Sequence, residues 1–291
     1  MESFVSAIIS GLISGSLYAA MALGLTIIYG ISRVFNFGHG VVALVGAYIA
    51  WLFVQNATLA GAPLLMGILV SMVVMFILGY FIYLFAIGPL MKKPNWEIST
   101  VLFMLGLGIM LENIILQIYG PRVKSIPVFV SGNIRVSNIQ INWHDLAIIF
   151  IVVAAILILN YFFKVTRTGQ AMRAVAQSIP GAKVVGIDIE KIFGLTFGLA
   201  FMVTAFSGVM LATKFFMNPN IGWDWMVKGF VIVCFGGLGS TSGAIFAALI
   251  LGIVEALTTL YFGPSWVWPI WFIIFIVVLL VRPQGILGGR S

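Results

Sequence analysis

The chain has 291 residues, of which 62% are hydrophobic and 8% are charged, and its formal net charge is +7. Soluble domains carry about 25% charged residues, so this composition excludes a water-soluble protein and indicates a polytopic membrane protein. The basic residues lie between the apolar runs, as loop residues of membrane proteins do, so the positive charge does not indicate a nucleic-acid partner. The single cysteine, Cys234, excludes an intrachain disulfide.

The first half of the chain, residues 1–120, contains four predicted spans. They cover residues 4–31, 41–54, 64–87 and 98–119. The first is too long for a signal-peptide core and no Lys or Arg precedes it, so we interpret it as a retained transmembrane helix. Its Gly11 and Gly15 form a G-x-x-x-G motif, which favours close packing against another helix. Glu112 lies in the fourth span and should face protein or water, because a charge at the bilayer centre costs about 3 kcal/mol.

Polar residues and glycines lie at the start of the second predicted span, just after Arg33. They are Asn36, Gly38, His39 and Gly40. This composition predicts unwound backbone, which is tolerated at membrane depth only where protein or a water-filled cavity satisfies it. His39 has no partner residue at metal-ligand spacing, so we predict no metal site. It is either a substrate contact or a histidine bonded to backbone at a helix end.

Residues 121–143 form a polar segment in which apolar residues alternate, and this alternation predicts short β structure. The alternating pairs are Val128 and Val130, Ile134 and Val136, and Ile139 and Ile141. A fifth span follows at residues 145–163 and leads into a polar loop at residues 164–191. We assign residues 121–143 to the external side of the membrane and the loop to the cytoplasmic side.

The second half of the chain, residues 192–291, contains predicted spans at residues 192–213, 244–262 and 266–281. Between the first two lies an apolar run, residues 229–238, that is too short to cross ~30 Å as a helix. It breaks in a glycine-rich stretch that contains Gly236, Gly237, Gly239 and Ser240.

Both halves contain a long helix rich in small residues followed by a glycine-broken segment, since Gly194 and Gly198 repeat the G-x-x-x-G motif. We therefore interpret the halves as an inverted repeat and pair the break at residues 36–40 with the break at residues 236–243. Paired breaks of this kind point to a transport pathway, and the alternative is close helix packing at the glycines. The predicted fold is an all-α polytopic membrane protein of about 8–9 transmembrane segments, forming a single domain over residues 1–291.

The loop at residues 164–191 is the longest polar interruption in the chain. Thr168 is predicted to cap a short amphipathic helix, Pro180-Gly181 to end it, and Asp188 to cap the next helix. The apolar side of the short helix carries Met172, Val175 and Ile179. Such a stripe beside water predicts docking into a partner protein, and the alternatives are a solvated basic loop or a helix on the membrane surface.

The distribution of Lys and Arg predicts the orientation. With the loop at residues 164–191 inside, ten basic residues lie inside and five outside, in agreement with the positive-inside rule. The ten are Arg33, Lys92, Lys93, Lys164, Arg167, Arg173, Lys183, Lys191, Arg282 and Arg290. The five are Arg122, Lys124, Arg135, Lys214 and Lys228. The N-terminus is then outside and the C-terminus cytoplasmic, in a cell membrane.

The sequence lacks the motifs of several chemistries. It has no G-x-x-x-x-G-K-[ST], so no P-loop nucleotide site is predicted. The glycine-rich stretch at residues 236–243 contains no lysine and lies among apolar residues, so we interpret it as a helix break rather than a phosphate site. No cluster of His, Cys or carboxylate residues has metal-ligand spacing. We expect neither an enzyme nor a bound cofactor.

A series of motifs, in order along nearly the whole chain, resembles one family. They are Gly15-Ser-Leu-Tyr-Ala19, Leu23-Gly-Leu-Thr26, Asn36-Phe-Gly-His-Gly40, Gly46-Ala-Tyr48, Gly120-Pro121, Gly186-Ile-Asp-Ile189, Gly236-Gly-Leu-Gly-Ser240, Glu255 and Arg282-Pro-Gln-Gly285. The chain resembles the H-type permease subunits of ATP-binding-cassette (ABC) importers for branched-chain amino acids, from the group that takes up polar amino acids, amides and urea. The loop at residues 164–191 resembles the ATPase-coupling loop of such permeases, with Pro180-Gly181 where relatives usually carry other residues.

This resemblance implies a transport subunit that forms the pathway for amino acids, with branched-chain amino acids as the first choice. Its implied partners are a second homologous permease in a heterodimer, two cytoplasmic ATPases that bind the ATP, an external solute-binding protein and membrane lipid. The candidate ATPase-coupling residues are Gly169, Met172, Arg173, Val175, Ile179, Ala182 and Gly186. The candidate pathway residues are Asn36, Gly38, His39, Gly40, Gly236, Gly237, Gly239, Ser240 and Glu255.

Glu255 lies in the middle of the predicted span at residues 244–262. We expect it to face the interior of the subunit and to hold the glycine-broken segment through hydrogen bonds, or else to be a hydrated structural acid. Three alternatives to the amino-acid importer remain open. They are a urea or short-amide ABC permease, an ion-coupled secondary transporter that uses Glu112 and Glu255, and a passive urea or amide channel.

Overall fold

The computed structural model describes residues 2–56, 63–136 and 139–288. It begins with α1 (Glu2–Ser32), α2 (His39–Asn56), α3 (Pro63–Ile82), a π-helical turn (Tyr83–Ile87), α4 (Gly88–Met91) and α5 (Trp96–Tyr119). A hairpin of β1 (Asn133–Val136) and β2 (Ile139–Asn142) follows. The remaining elements are α6 (Trp143–Val165), α7 (Arg167–Gln177), α8 (Ile179–Val184), α9 (Ile189–Lys214), α10 (Ile221–Gly236), α11 (Thr241–Tyr261), a 3-10 turn (Pro264–Trp266) and α12 (Val267–Val281).

Seven helical segments in the described part of the chain are long and apolar enough to cross a membrane. They are α1, α3 with its π-turn and α4, α5, α6, α9, α11, and α12 with the turn before it. Two further helices, α2 and α10, are shorter, with 18 and 16 residues. This architecture confirms the predicted all-α polytopic fold.

The β-hairpin lies between α5 and α6 in the chain. Its strands pair antiparallel with Ile134 opposite Ile141, which confirms the short β structure predicted from the alternation there. Val128 and Val130 lie outside the strands. The chain before the hairpin is held by a backbone bridge from Lys124 to Met217, so the segment packs over the end of α9.

The helix contacts agree with an inverted repeat, in which each helix of the first half corresponds to a helix of the second half. If α1, α2 and α3 correspond to α9, α10 and α11, the main contacts between these helices occur in corresponding pairs. Helix α1 packs along α11, and α9 packs along α3; α2 packs on α9, and α10 packs on α1. The contacts α1–α9 and α2–α10 are their own counterparts and lie at the centre of the bundle. The spans α1 and α9 are accordingly the two most buried ones.

The two G-x-x-x-G motifs occupy equivalent contacts. Gly11 and Gly15 of α1 lie against Gly252 of α11, where a Cβ on Gly252 would meet the backbone of both. Gly194 and Gly198 of α9 lie against aromatic rings of α3 and its π-turn. Both motifs therefore allow close helix approach, as predicted, the first to backbone and the second to ring faces and edges.

The starts of the two short helices carry the clearest signature of the repeat. Asn36 precedes α2, and Asn218 precedes α10, by three residues. In each case the side-chain oxygen accepts a hydrogen bond from the N–H two residues on, at 3.0 and 3.1 Å. Four residues after each asparagine come Gly40 and Gly222, and a Cβ on Gly40 would collide with the Gly222 carbonyl. The pattern N-x-x-x-G therefore occurs twice, and its two glycines meet.

Helices α2 and α10 begin deep in the bundle. The ring of His39, the first residue of α2, bonds the carbonyl of Met21, which lies 11 residues before the end of α1. At 1.5 Å per residue this is ~16 Å from that helix end. Because Gly40 and Gly222 are in contact, α10 begins at the same depth. Residues 33–38 and 215–220 therefore run to the middle of the bundle from its opposite ends.

This arrangement corrects the predicted pairing of helix breaks. The counterpart of the break at residues 36–40 is the segment at residues 215–220, not the glycine-rich stretch at residues 236–243. That stretch joins α10 to α11 and so corresponds to the connection from α2 to α3, whose residues 57–62 lie outside the described part. The error arose because Asp224 and Lys228 interrupt the apolar character of α10, whose start was therefore missed.

The predicted position of one basic residue also changes. Lys228 was assigned to the external side, but it lies on α10 inside the bundle and pairs with an acid there. Arg290, assigned to the cytoplasmic side, lies outside the described residues. The other basic residues assigned to the cytoplasmic side lie at one end of the bundle. We call it the basic end, and it contains the end of α1, the α4–α5 connection, and α7 with α8.

Candidate translocation and coupling sites

The candidate pathway segment at residues 36–40 is packed inside the subunit. Asn36 and His39 have no exposed surface. The His39 Nε2 lies 2.8 Å from a carbonyl of α1 and must donate to it, and its Nδ1 lies 3.3 Å from a threonine hydroxyl of α9. Gly38 and Gly40 fill close contacts with α5 and α10. The segment therefore packs against α1, α5, α9 and α10. This agrees with the alternative interpretation, in which the glycines allow close helix packing.

An aromatic cluster that the sequence analysis missed flanks this segment. Phe35 and Phe37, which surround Asn36, lie 6.2 Å apart between ring centroids. Phe37 contacts Phe230 of α10 at 5.7 Å, and Phe230 contacts a phenylalanine of α12 at 6.2 Å. These rings are half-buried, so the cluster forms an apolar surface beside the break.

Glu255 is the acceptor of a charged network between three helices. Lys228 of α10 donates to both carboxylate oxygens, at 2.8 and 3.0 Å, and Tyr18 of α1 donates to one of them at 3.0 Å. The Lys228 ammonium also lies 5.4 Å from the ring centroid of Trp271. The two charged side chains are only 14% and 21% exposed. Glu255 thus faces the subunit interior and fixes α10 to α1 and α11. Lys228 lies eight residues before the glycine-rich stretch and Glu255 lies twelve residues after it, so the network does not hold that stretch directly.

Glu112 also has a protein partner. Its carboxylate accepts a hydrogen bond of 2.5 Å from the indole N–H of Trp223, which joins α5 to the start of α10. This placement agrees with the expectation that an acid within a span faces protein or water. Both intramembrane acids therefore stabilise contacts of α10.

The glycine-rich stretch at residues 236–243 forms a tight turn between two helices. Gly237 and Gly239 have φ angles of +105° and +84°, a conformation that favours glycine. The Ser240 hydroxyl accepts from the N–H of Gly243 at 3.1 Å and caps α11. Backbone bonds from residues 286 and 287 to the end of α10 hold the last described segment of the chain against this turn.

The predicted docking helix in the loop at residues 164–191 is present, with different ends. Thr166 rather than Thr168 caps it, through a 3.0 Å bond from the N–H of the third residue on. Pro180 does not end it; Ser178 ends α7 and caps α8, and Pro180 stands in the first turn of α8, where a missing N–H costs nothing. Asp188 caps α9 as predicted.

The apolar side of α7 is not exposed. Met172 and Val175 are each 1% exposed and pack with α1 and α9 in one core cluster, which also contains Ala182. A Cβ on Gly169 would collide with the Phe162 carbonyl, so α7 also lies tightly on α6. The prediction that Met172 and Val175 are exposed docking anchors is therefore wrong, because helices of the same chain already cover them.

The exposed apolar surface of this loop is on α8 and the turn after it. Ile179 is 41% exposed, Val184 is 88% exposed and Val185 is 73% exposed. Gly186 follows with a φ of +82° and no atom near the position of a Cβ. We call Ile179, Val184 and Val185 the α8 tip. Arg173 lies on the exposed side of α7.

Sequence reasoning missed three residues that organise these sites, namely Lys228, Tyr18 and Asn218. A lysine in one apolar run and an acid in the next are a signal for an intramembrane pair, which would have linked Lys228 to Glu255. The repeated N-x-x-x-G spacing was a signal for Asn218. Tyr18 lies in the Gly15-Ser-Leu-Tyr-Ala19 motif, but nothing in that motif indicates a hydrogen bond to Glu255.

Comparison with known proteins gives a consistent result. A family model described as "Branched-chain amino acid transport system / permease component" matches residues 7–282. The high-affinity branched-chain amino acid transport system permease protein BraD of Pseudomonas aeruginosa is 31% identical, over 98% of this chain and 96% of that protein. LivH of Escherichia coli K12, with the same description, is 30% identical over the same shares. The probable branched-chain amino acid transport permease LivH of Methanocaldococcus jannaschii is 30% identical over 95% and 90%.

Among solved structures, a chain of PsaBC from Streptococcus pneumoniae in complex with Fab aligns with a TM-score of 0.45 and 14% identity. The alignment covers 97% of this chain and 91% of that one. The sequence matches are the stronger finding, because the family model covers nearly the whole chain and several relatives of similar length are about as similar to it. The chain belongs to the family of branched-chain amino acid transport system permease components.

Proposed function

We propose that this chain is the membrane-spanning permease subunit of an ABC importer that moves branched-chain amino acids into the cell. The family match at residues 7–282 carries the proposal, because it takes in nearly all of the membrane-spanning helices. The relatives named as high-affinity branched-chain amino acid permeases have nearly the same length as this chain. ATP is bound by partner ATPases, and this subunit needs no metal or cofactor.

The ATPase docks on the α8 tip. An exposed apolar surface beside water is stabilised when a partner covers it, at roughly 25 cal/mol per Å². Movement at α8 reaches the core because α7 is locked against α1 and α9 through Met172 and Val175. In this proposal Met172 and Val175 take part in the coupling by packing α7 against the core of the subunit. They do not contact the ATPase.

The pathway runs beside the starts of α2 and α10. Half-helices that begin within the membrane direct their partly positive N-termini toward anionic groups of a substrate. The buried Asn36 Nδ2 has no hydrogen-bond partner within the described residues, and such a donor costs about 1–3 kcal/mol until an acceptor reaches it. The half-buried Phe35, Phe37 and Phe230 supply an apolar wall for a branched side chain. A second permease subunit closes the pathway from the other side.

The basic end of the bundle faces the cytoplasm. Lys228 lies inside the bundle and no longer counts as an external basic residue. The excess of basic residues on the cytoplasmic side, on which this orientation rests, is therefore larger. The N-terminus is then external and the C-terminus cytoplasmic, and the solute-binding protein docks at the end that carries the β-hairpin.

The contacts of the two intramembrane acids disfavour an ion-coupled transporter. Such a mechanism needs a carboxylate that exchanges its partner for a proton or sodium ion. Glu255 is held by Lys228 and Tyr18, and Glu112 by Trp223, so each is already committed to a protein donor.

Substrate class is tested with the complete transporter in proteoliposomes that contain ATP. Uptake of radiolabelled leucine, isoleucine and valine is compared with uptake of urea and acetamide, with the transporter's own solute-binding protein present. We expect the three amino acids to accumulate and the two amides to stay at the level of protein-free vesicles. Faster uptake of urea or acetamide would replace the substrate assignment.

A further inference from the structure

A cavity of about 470 Å³ lies at the basic end of the bundle, apart from the aromatic cluster and the α8 tip. It is bounded by the last turns of α1 and α6, by α7, and by the turn that leads into α11. Its apolar wall consists of Leu23, Ile27, Ile156, Leu159, Phe163 and Ile245. The cavity is open to the surroundings of the subunit, and α6, which forms one side, is among the least buried spans.

Two cations lie at this cavity without acidic partners. Lys164, at the end of α6, and Arg173, on α7, both line it. The ion pairs within the described residues join other lysines to Glu190, Asp145 and Glu255, and no acid lines the cavity. The local charge is therefore positive only, which suits an anion and leaves a zwitterion's ammonium without a partner.

An amide lies between the cations and the apolar wall. Asn160 is four residues before Lys164 on α6, about 6 Å deeper along the helix axis. Its side chain is exposed and makes no hydrogen bond to the described residues. Near the end of a span, such an amide is free to bond the polar head region of a lipid. The cavity thus changes from cationic to polar to apolar as it goes deeper.

We propose that this cavity binds an anionic phospholipid of the leaflet at the basic end. Lys164 and Arg173 hold the phosphate, Asn160 donates to the glycerol ester region, and an acyl chain lies on the apolar wall. A free phosphate would use the two cations and leave the wall in contact with water, so the shape favours the lipid. Because the cavity touches both α7 and the α10–α11 turn, bound lipid stabilises the coupling helix against the core.

The test measures lipid retention, which does not depend on the transported substrate. The complete transporter is stripped of lipid in detergent, incubated with micelles of equal phosphatidylglycerol and phosphatidylcholine, repurified, and its lipids are quantified by mass spectrometry. The variant Lys164→Gln/Arg173→Gln is compared with Arg167→Gln/Lys183→Gln, which removes the same charge from exposed positions that do not line the cavity. Each cation near a headgroup is worth about fivefold in affinity, so retention should fall about 25-fold in the first variant only.

Ala176→Phe separates the lipid from a free anion. Ala176 lines the cavity, so the larger side chain narrows the space available to a lipid and leaves both cations in place. We expect this variant to lose phosphatidylglycerol while its monodispersity on size exclusion is kept. Full retention in Ala176→Phe together with displacement of lipid by inorganic phosphate would show a site for a free anion and overturn the proposal. Equal loss in both charge variants, or loss in neither, would overturn it as well.

Discussion

At the residue scale, a contact between two backbones defines the centre of this subunit. Gly40 and Gly222 meet where α2 and α10 begin, and each follows an asparagine that bonds the backbone of the same turn. A Cβ on Gly40 would collide with the Gly222 carbonyl, and a Cβ on Gly222 would lie only 3.0 Å from the Cα of Val41. The geometry at the middle of the membrane therefore depends on the absence of two Cβ atoms.

Gly40→Ala tests this contact. Its Cβ would collide with the Gly222 carbonyl and the Met226 backbone, so we expect a loss of about 1–3 kcal/mol in the free energy of unfolding. Gly106→Ala on α5 is the matched control, because no atom lies within 4 Å of its Cβ position. Unfolding in mild detergent should show a lower midpoint for the first variant and an unchanged or slightly higher one for the second. Equal midpoints would refute the contact.

The pair of Lys228 and Glu255 is tested by a double-mutant cycle. Glu255→Gln leaves a cation without its counter-charge, and Lys228→Met leaves an anion, so each change should cost about 2 kcal/mol, less than at a fully buried pair. The double variant should cost less than the two single changes combined. Strict additivity of the three unfolding free energies, with uptake unchanged in Glu255→Gln, would mean that the charges do not act together.

At the element scale, the sequence predicts the spans well and the short helices poorly. The long runs are set by hydrophobic length, and each of these spans was placed to within a few residues of its helix. Helix α10 was not recognised at full length because Asp224 and Lys228 lie in it. The cost of Lys228 is offset by its ion pair with Glu255 of α11, which a local pattern does not contain. The depth at which α2 begins depends in the same way on a bond from His39 to α1.

The coupling loop shows a second limit of sequence patterns. The stripe of Met172 and Val175 correctly indicates a helix with one covered side, but periodicity does not specify what covers it. Here the cover is the chain's own α1 and α9. Val175→Asp would therefore disrupt the packing of α7 against α1 and α9, so it would not be a test of ATPase docking.

The α8 tip is tested by Val184→Asp. Val184 is 88% exposed, so the change leaves the fold of the isolated subunit intact, and a charge at a docking anchor should weaken ATPase binding about tenfold or more. Val128→Asp, at an exposed valine in the segment before the hairpin, is the control. Pull-down of the ATPase with each purified permease variant measures the effect. Unchanged binding in Val184→Asp would place the docking surface elsewhere.

At the scale of the whole molecule, the repeat gives the proposed permease two matching sets of helices that can move against each other. The two sets are α1–α3 and α9–α11. Helix α1 packs on α11 of the other set and α9 packs on α3, and α2 contacts α10 where the two sets meet. Rocking of one set against the other opens opposite ends of a pathway around a fixed centre. The family description of a permease component agrees with the proposal that these helices form a translocation pathway.

The most direct test of this account is the energy source of transport. Proteoliposomes that contain the permease, the second permease subunit, the ATPases and the solute-binding protein are loaded with ATP or with a non-hydrolysable analogue. Vesicles that contain this permease alone are placed under an imposed proton or sodium gradient, and leucine uptake is measured in each. We predict accumulation with ATP alone, and its loss in the Val184→Asp variant. Accumulation driven by an ion gradient without ATP, in vesicles that contain only this permease, would contradict the account.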